Sequence, residues 1–519
     1  MGIVVLAALL FWTRLVGLDE SLWWDEIYAV VTAINVGPSG IWFGTYQPNN
    51  HVLFNLLTWA TAVMLGPSEP VYRVWSVLPA LGAAALLTAW AWRRLGRLTA
   101  VFVLFLVTTA PIYVDLTRQA RGYGLMALAA VGLLVTADRL IAAGSKDDAG
   151  LARPIGGERA QRRRWVAYGA AGMLGLYTHV GFVFGFLTQT LVLLLRRSLL
   201  RAAIVTVVAA GILCLAFYAP LLGQMASNLS YNYGGKPRTE DKKQAHAPGP
   251  GQGNKEARPP LEWHSTVTGA ASLAAPVVEV VARGKYDESC TVRCYSGKRL
   301  LLVLPVLLAA GIGGWSLWRF GRRWLLALLA IPPTATFFVL TVPQGFVANR
   351  FVSFTLVHIL VLMAIGLSAA LAWAWSFQRA RPVVAPLGLL LALFALFQFT
   401  VAAMRWIKIP KEDMKRAAAI VEQSGARPIV TNSKYLLGWR YYLKPEDVTR
   451  LAPARLESMF CNENGGFGFI DHPLMTQMVN TSCLAGRGTR IRVPQRSRGK
   501  HIDVWLVPPR SPGAAAARN

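Results

Sequence analysis

Asp25 and Glu26 stand side by side in the run SLWWDEIYAV, straight after a short apolar segment and among Trp23, Trp24, Trp42 and Tyr46. Carboxylates beside so much apolar sequence are costly, so they either cap a surface helix or are kept for chemistry. A carboxylate in this setting can take a proton from a hydroxyl. Further ionisable residues gather at the ends of apolar runs: His51, Arg73, Asp115, Arg118, Arg121, His179 and Arg350. Arginine's planar fork bonds phosphate oxygens bidentately. Acids, histidines and arginines on one rim suit a site that takes a lipid from a bilayer and a polar partner from water.

Each residue also has a plainer reading. Asp25 can be the N-cap of a helix over Ile27 to Ile34, with Glu26 favoured by the helix dipole. His51 can cap the helix after it. Asp115 and Arg118, three apart, can pair with each other. Arg121 and Arg350 can snorkel, and Tyr113, Tyr123 and Tyr177 can belong to an aromatic belt. Singly the plainer readings win; gathered on one rim, the residues favour a site.

The elements that must position these groups are membrane helices. Hydrophobic residues make up 54% of the 519 and the mean hydropathy is +0.41, far too apolar for a soluble chain of this length. The net charge of +27 does not point to nucleic acid, because the arginines cluster in short segments between apolar runs, as the positive-inside rule expects. A span needs roughly 20 apolar residues. The runs at or near that length are 2–17, 72–92, 98–115, 122–140, 165–178, 180–195, 202–221, 299–318, 324–341, 352–375 and 383–403, about eleven spans. The first reads as a retained signal anchor.

The run 52–65 is decided by charge. If it spanned, the arginines at 93–97 would face away from those at 162–164, 196–197, 322–323 and 379–381. Lying in the interface, it leaves all of these clusters on the cytoplasmic face, with the N-terminus inside and everything after Met404 outside. A transmembrane domain over 1–404 is then expected, with a first outer loop at 18–71 and a long outer loop at 222–298, followed by an extracytoplasmic domain over 405–519. The long loop opens with a Gly-, Pro- and charge-rich tract that cannot build a core and continues into an apolar interfacial run, Val267 to Val281. The last domain reads as α/β: helices at Asp413 to Gln423 and Tyr435 to Tyr442, strands at Pro428 to Asn432 and His501 to Val507. Outside the cytoplasm the cysteines suggest two disulfides, Cys461 with Cys483 and Cys290 with Cys294, leaving Cys214 in a span. Two cysteines at C-x-x-x-C are too few to identify a metal site, and the sequence neither requires nor excludes a divalent metal.

The order SLWWDEIYAV, NNHVLFNLL, EPVYRVWSVLPALGAAALLTAWAWRRLGR, APIYVDLTRQARGYGLMAL and GLYTHVGF resembles that of GT-C membrane glycosyltransferases, in particular protein O-mannosyltransferases (glycosyltransferase family 39) and lipid A aminoarabinose transferases. The motifs cover most of the first 200 residues; beyond them the likeness rests on topology, the NRF at Asn349 to Phe351 and the outer C-terminal domain. The resemblance implies a polyprenyl-monophosphate sugar donor, an acceptor bound at the outer face and a first-loop Asp as general base. It places Asp25 and Glu26 on the Asp-Glu motif and His51 on the histidine opening the next one. Arg73 falls on an arginine before the second span, Arg118, Arg121 and Tyr123 on an Arg-x-x-Arg-x-Tyr pattern, and His179 on the Tyr-Thr-His run. Three positions depart from the pattern: Val52 follows His51 where prolines are usual, Gln119 replaces a frequent Glu and its possible second acid or metal ligand, and Gly122 replaces a frequent Pro.

These readings give a polytopic α-helical membrane protein of GT-C type in the plasma membrane. Its expected activity is inverting transfer of a sugar from a polyprenyl phosphate to an extracytoplasmic glycan, lipid or protein. Asp25 and Glu26 are the candidate catalytic acids, and His51, Arg118, Arg121, Tyr123, His179 and Arg350 the candidate donor-phosphate and substrate contacts. The rivals are a permease or flippase for a lipid-linked glycan and a noncatalytic scaffold. Midplane charge with inverted repeats would favour transport and loss of the first-loop acids would favour the scaffold; neither pattern is in the sequence.

Overall fold

The computed structural model describes residues 2–44, 50–144, 157–225, 304–344, 353–376, 412–433, 436–462, 464–471, 481–485, 487–495 and 501–509. Arg350, Cys290, Cys294, the run 267–281 and the run 383–403 lie outside the described residues.

The apolar opening of the chain forms α1 (Gly2–Leu15), which ends before Gly17 at φ 70°. Short elements follow: α2 (Trp24–Ala29), running into a π turn at Val30–Ile34, then α3 (Pro38–Phe43) and α4 (Val52–Leu65). At 14 residues, α4 is shorter than a span and lies against the next helix, Trp75 Nε1 donating to Thr61 Oγ1 at 2.7 Å. Helix α5 (Glu69–Leu95) opens with Pro70 in its first turn, where the missing N–H costs nothing, and stops at Gly96 with φ 96°.

The run 98–115 does not form one helix. Pro111 cannot continue the ladder, so α6 (Arg97–Thr109) ends and α7 (Pro111–Arg118) starts afresh after an extended Ala110. The break turns Arg118 and Arg121 toward the acid loop. Helices α8 (Tyr123–Gly144), α9 (Gly157–Thr178), α10 (Val183–Leu194) and α11 (Leu200–Tyr218) follow, then α12 (Leu304–Arg319), α13 (Arg323–Gln344) and α14 (Leu356–Ser376). Among the described residues four helical stretches are long and apolar enough to cross a membrane, Glu69–Leu95, Tyr123–Ala143, Arg197–Met225 and Ser353–Ser376; shorter apolar helices stand beside them. One apolar core joins α1, α5, α6 and α8–α14. Helices α5 and α8 approach so closely that a Cβ on Gly124 would sit 1.8 Å from the Ser76 carbonyl oxygen, which only glycine avoids.

Basic residues meet at one end of this bundle. Arg94 pairs with Asp138, Arg322 donates to the Arg94 carbonyl at 3.0 Å, and Arg196 donates to the Ile141 carbonyl at 2.9 Å while lying over the Trp324 ring. Arg73, at the other end of α5, lies with the acid loop.

The C-terminal unit is α/β, built from α15 (Met414–Ser424), β1 (Ile429–Thr431), α16 (Leu436–Tyr442), β2 (Val448–Arg450), α17 (Pro453–Asn462), β3 (Phe467–Asp471), α18 (Ser482–Ala485), β4 (Thr489–Pro494) and β5 (His501–Val507). The sheet order is β2-β1-β3-β5-β4, with β2, β1 and β3 parallel and β5 antiparallel to both neighbours. One face packs on α17, where Cys461 is disulfide-bonded to Cys483. The other face shares a core with the first loop: Met414, Ala417, Val421 and Trp439 join Leu22, Ile27, Val30, Phe54 and Tyr72.

Candidate active site

Asp25 does not cap its helix. α2 begins at Trp24, with Trp23 in the cap position, so Asp25 and Glu26 both fall in the first turn and, one residue apart, diverge in direction.

Glu26 turns inward and is 1% exposed. Its Oε1 accepts from Arg73 Nε at 3.4 Å and from the Ala120 N–H, and its Oε2 from Arg73 Nη2 at 3.1 Å and the Trp23 N–H at 3.0 Å. An ionised carboxylate has about four lone-pair sites, and this one uses all of them on the protein. Arg73 completes the lock by donating to the carbonyls of Leu18 at 2.6 Å, Glu20 at 2.8 Å and Ser21 at 3.2 Å. The adjacent carboxylate and guanidinium hold the loop in one shape.

Asp25 turns the other way, with 18% of its side chain exposed, into a cavity of about 260 Å³ lined also by Trp24, Tyr28, Thr32, Asn50, His51, Asn55 and Arg121. Arg121 Nη1 lies 3.9 Å from Asp25 Oδ2 and donates to the Asp25 carbonyl at 3.1 Å. The cavity thus combines a carboxylate, a guanidinium, an imidazole, two carboxamides and two aromatic rings.

His51 occupies the N-cap position of α4 but does not cap it through its side chain. Its ring packs against Tyr123 at 5.0 Å and His179 at 4.8 Å between centroids. His179 Nδ1 accepts the Gly181 N–H at 3.0 Å, which fixes the ring as the cap of a short 3-10 turn and places the proton of the neutral form on Nε2. Gly122 is explained here: a Cβ would fall 2.3 Å from Thr178 Cγ2 and 2.8 Å from His51 Nδ1. The glycine therefore admits the imidazole beside the α7–α8 turn.

Arg118, 4% exposed, donates to the Val16 carbonyl and lies 3.9 Å from Glu20. Asp115 accepts from Gln119 Nε2 at 3.0 Å. The structure thus brings Asp25, His51, Tyr123, Arg121 and His179 together, holds Glu26 and Arg73 behind them, and places Arg118 toward the end of α1. Trp24, Tyr28, Thr32, Asn50 and Asn55 were not recognised as cavity residues in the sequence. Asn55 carried a signal, since it stands four residues after His51 and so shares its helix face; its Nδ2 donates to Asn50 Oδ1 at 2.7 Å. Among the described residues no three His, Cys, Asp or Glu side chains come together as a metal site.

No family model and no curated protein matches the chain. Solved structures do. The chain is similar to ArnT from Cupriavidus metallidurans bound to undecaprenyl phosphate, at 14% identity and a TM-score of 0.50 over 97% of each chain. It is also similar to the oligosaccharyltransferase AglB from Archaeoglobus fulgidus in complex with an inhibitory peptide and a dolichol-phosphate, at 14% identity and a TM-score of 0.50 over 86% of this chain and 63% of that one. The apo form of the Archaeoglobus fulgidus oligosaccharyltransferase gives a TM-score of 0.51 at 14% identity, over 86% of this chain and 64% of that one. At such identity the likeness speaks for the fold alone: over nearly its whole length the chain shares the fold of ArnT.

Proposed function

We propose that the chain is an inverting GT-C glycosyltransferase of the plasma membrane, moving a sugar from a polyprenyl-phosphate donor to an extracytoplasmic acceptor. The observation that carries the reading is the divided acid pair: Glu26 is saturated by the protein, whereas Asp25 lines a polar cavity with Arg121. In this account Asp25 accepts the acceptor hydroxyl's proton as its oxygen attacks the anomeric carbon from the face opposite the phosphate. The carbon–oxygen bond to phosphate breaks, its electron pair leaves with the polyprenyl phosphate, and the anomeric centre inverts. Arg121 stabilises the departing phosphate, with Arg350 proposed as a second cation, while Arg118 is held by the Val16 carbonyl and Glu20 behind the cavity; His51, Tyr123 and His179 shape the wall beside it. Glu26 acts by holding the loop through Arg73 rather than by taking a proton. ArnT bound to undecaprenyl phosphate and AglB bound to a dolichol-phosphate support a lipid-phosphate donor for this fold.

The test is incubation of the purified protein with a panel of radiolabelled polyprenyl-phosphate sugars and a cell-envelope extract as acceptor. Label from one donor should pass to the acceptor fraction with release of polyprenyl phosphate. Intact donors throughout the panel would contradict the proposal.

A further inference from the structure

α2 has only six residues, too few to hold itself in water, and the first N–H groups of any helix need partners from outside its own ladder. Glu26 supplies one, for Trp23. The next comes from the far end of the chain: the Trp24 N–H donates to Glu412 Oε2 at 3.0 Å across 388 residues. One step earlier, the Leu22 N–H donates to the Tyr442 hydroxyl oxygen at 2.7 Å across 420 residues. Glu412 is 3% exposed, so its carboxylate is spent on the protein interior rather than on solvent. Burial keeps the Tyr442 hydroxyl above its ordinary pKa, and it remains neutral through the physiological range.

The surrounding contacts have the same direction. Lys415 reaches Glu69 at 2.9 Å and the Asp19 carbonyl at 3.3 Å, and its own N–H donates to Ser21 Oγ at 3.2 Å. α16 packs on the loop at Gly438, where a Cβ would lie in ordinary contact with the Trp24 ring at 3.5 Å. Residues 19–24, which immediately precede Asp25, are thus gripped on one side by Arg73 of α5 and on the other by Glu412, Lys415 and Tyr442.

We propose that Glu412 and Tyr442 are positioning residues for Asp25: the C-terminal unit completes the N-terminus of α2 and so fixes the carboxylate relative to Arg121 and the cavity. The catalytic part of this inference rests on the role proposed for Asp25, while the positioning part does not. A small misplacement of a base costs rate without costing substrate affinity. Loss of Glu412 should therefore act on kcat.

Hydrogen–deuterium exchange on the full-length protein in nanodiscs, read on a peptide covering residues 22–29, measures the positioning directly. A hydrogen bond to a charged group is strong enough that Glu412→Ala should raise exchange there by roughly tenfold or more. Glu412→Gln keeps an acceptor oxygen and should recover most of the protection, and Tyr442→Phe should give a smaller increase. In transfer assays Glu412→Ala should lower kcat by roughly tenfold while leaving acceptor KM and donor binding near wild type, with rescue by Gln. Wild-type exchange in folded Glu412→Ala, or in Tyr442→Phe if the alanine variant does not fold, would overturn the inference. So would Gln failing to rescue. Altered exchange in a protein that transfers no sugar from any donor would leave the positioning intact and remove the proposed function instead.

Discussion

Helix α5 carries an arginine–acid pair near each end; both acids are buried, and the two pairs differ in the exposure of the arginine. Arg73 meets Glu26 at 3.1 Å with side chains 3% and 1% exposed, whereas Arg94 meets Asp138 at 3.1 Å with 43% of the arginine in contact with solvent. At the first end the guanidinium also satisfies three carbonyls of one loop; at the second, Asp138 further accepts from Trp90 Nε1 at 3.1 Å. Burial makes the first pair an element of structure, because neither charge has water to fall back on. The exposed Arg94 keeps contact with solvent, so its charge is held by water as well as by its partner.

This contrast is most easily broken at Arg73. Arg73→Ala leaves the Glu26 carboxylate buried without its cation, a change that typically costs about 3–5 kcal/mol. The expected result is loss of monodisperse protein in detergent, or a large fall in melting temperature, in Arg73→Ala and equally in Glu26→Ala.

The two faces of the C-terminal sheet offer a second contrast, since one is held by contact with the first loop and the other by a covalent bond. Cys461 and Cys483 close a loop with a sequence separation of 22, and removing such a bridge typically costs about 2–4 kcal/mol. Paired Cys461→Ser and Cys483→Ser substitutions should destabilise the C-terminal unit by that amount in chemical denaturation. Nonreducing peptide mapping of the wild type should recover the two cysteines joined.

Arg121 sharpens the comparison among buried arginines. Arg73 has its carboxylate in direct contact, whereas Arg121 stands 3.9 Å from Asp25 on the cavity wall and is the cation proposed for the donor phosphate. Lys keeps the charge and loses the planar geometry. Arg121→Lys and Arg121→Ala should both weaken donor-lipid binding by roughly tenfold or more; undiminished binding in both would assign the residue to holding the Asp25 carbonyl alone.

The smallest effect is expected at the exposed end. Arg94→Gln keeps an N–H donor for the buried Asp138, which also retains Trp90 Nε1, so the loss should be about 1 kcal/mol and smaller than at Arg73. Arg94→Cys should be shielded from an impermeant thiol reagent in intact cells, as should cysteines at Arg163, Arg197 and Arg323. Labelling of Arg94→Cys would reverse the assigned orientation.

Local sequence was informative where local physics decides. Asp413 accepts from the Arg416 N–H and starts a helix where expected, and the alternating run HIDVWLV forms the strand His501–Val507. The order of motifs anticipated the fold, and the run 52–65, kept out of the spans on charge, forms a helix of 14 residues. The break before Pro111 was legible in principle, because a proline inside an apolar run stops a helix, but the length of the run concealed it. β1 and β2 have three residues each, and β2 shows no alternation that could be recognised alone. The opposite settings of Asp25 and Glu26 had no local signature, and the preference for Asp25 as the base came from the resemblance alone. Those settings depend on Arg73, Ala120 and Glu412, whose distance from the acids in sequence gives no local pattern to read.

Asp25→Asn tests the central claim most directly. The substitution keeps size and hydrogen bonding, so a structural role in the first turn of α2 would survive it, but the amide can no longer accept the acceptor's proton. General-base assistance is typically worth about 10²–10⁴-fold. The account predicts that a folded Asp25→Asn protein binds the polyprenyl-phosphate donor normally and transfers its sugar at least about a hundredfold more slowly than wild type. Transfer at the wild-type rate by that variant would contradict it.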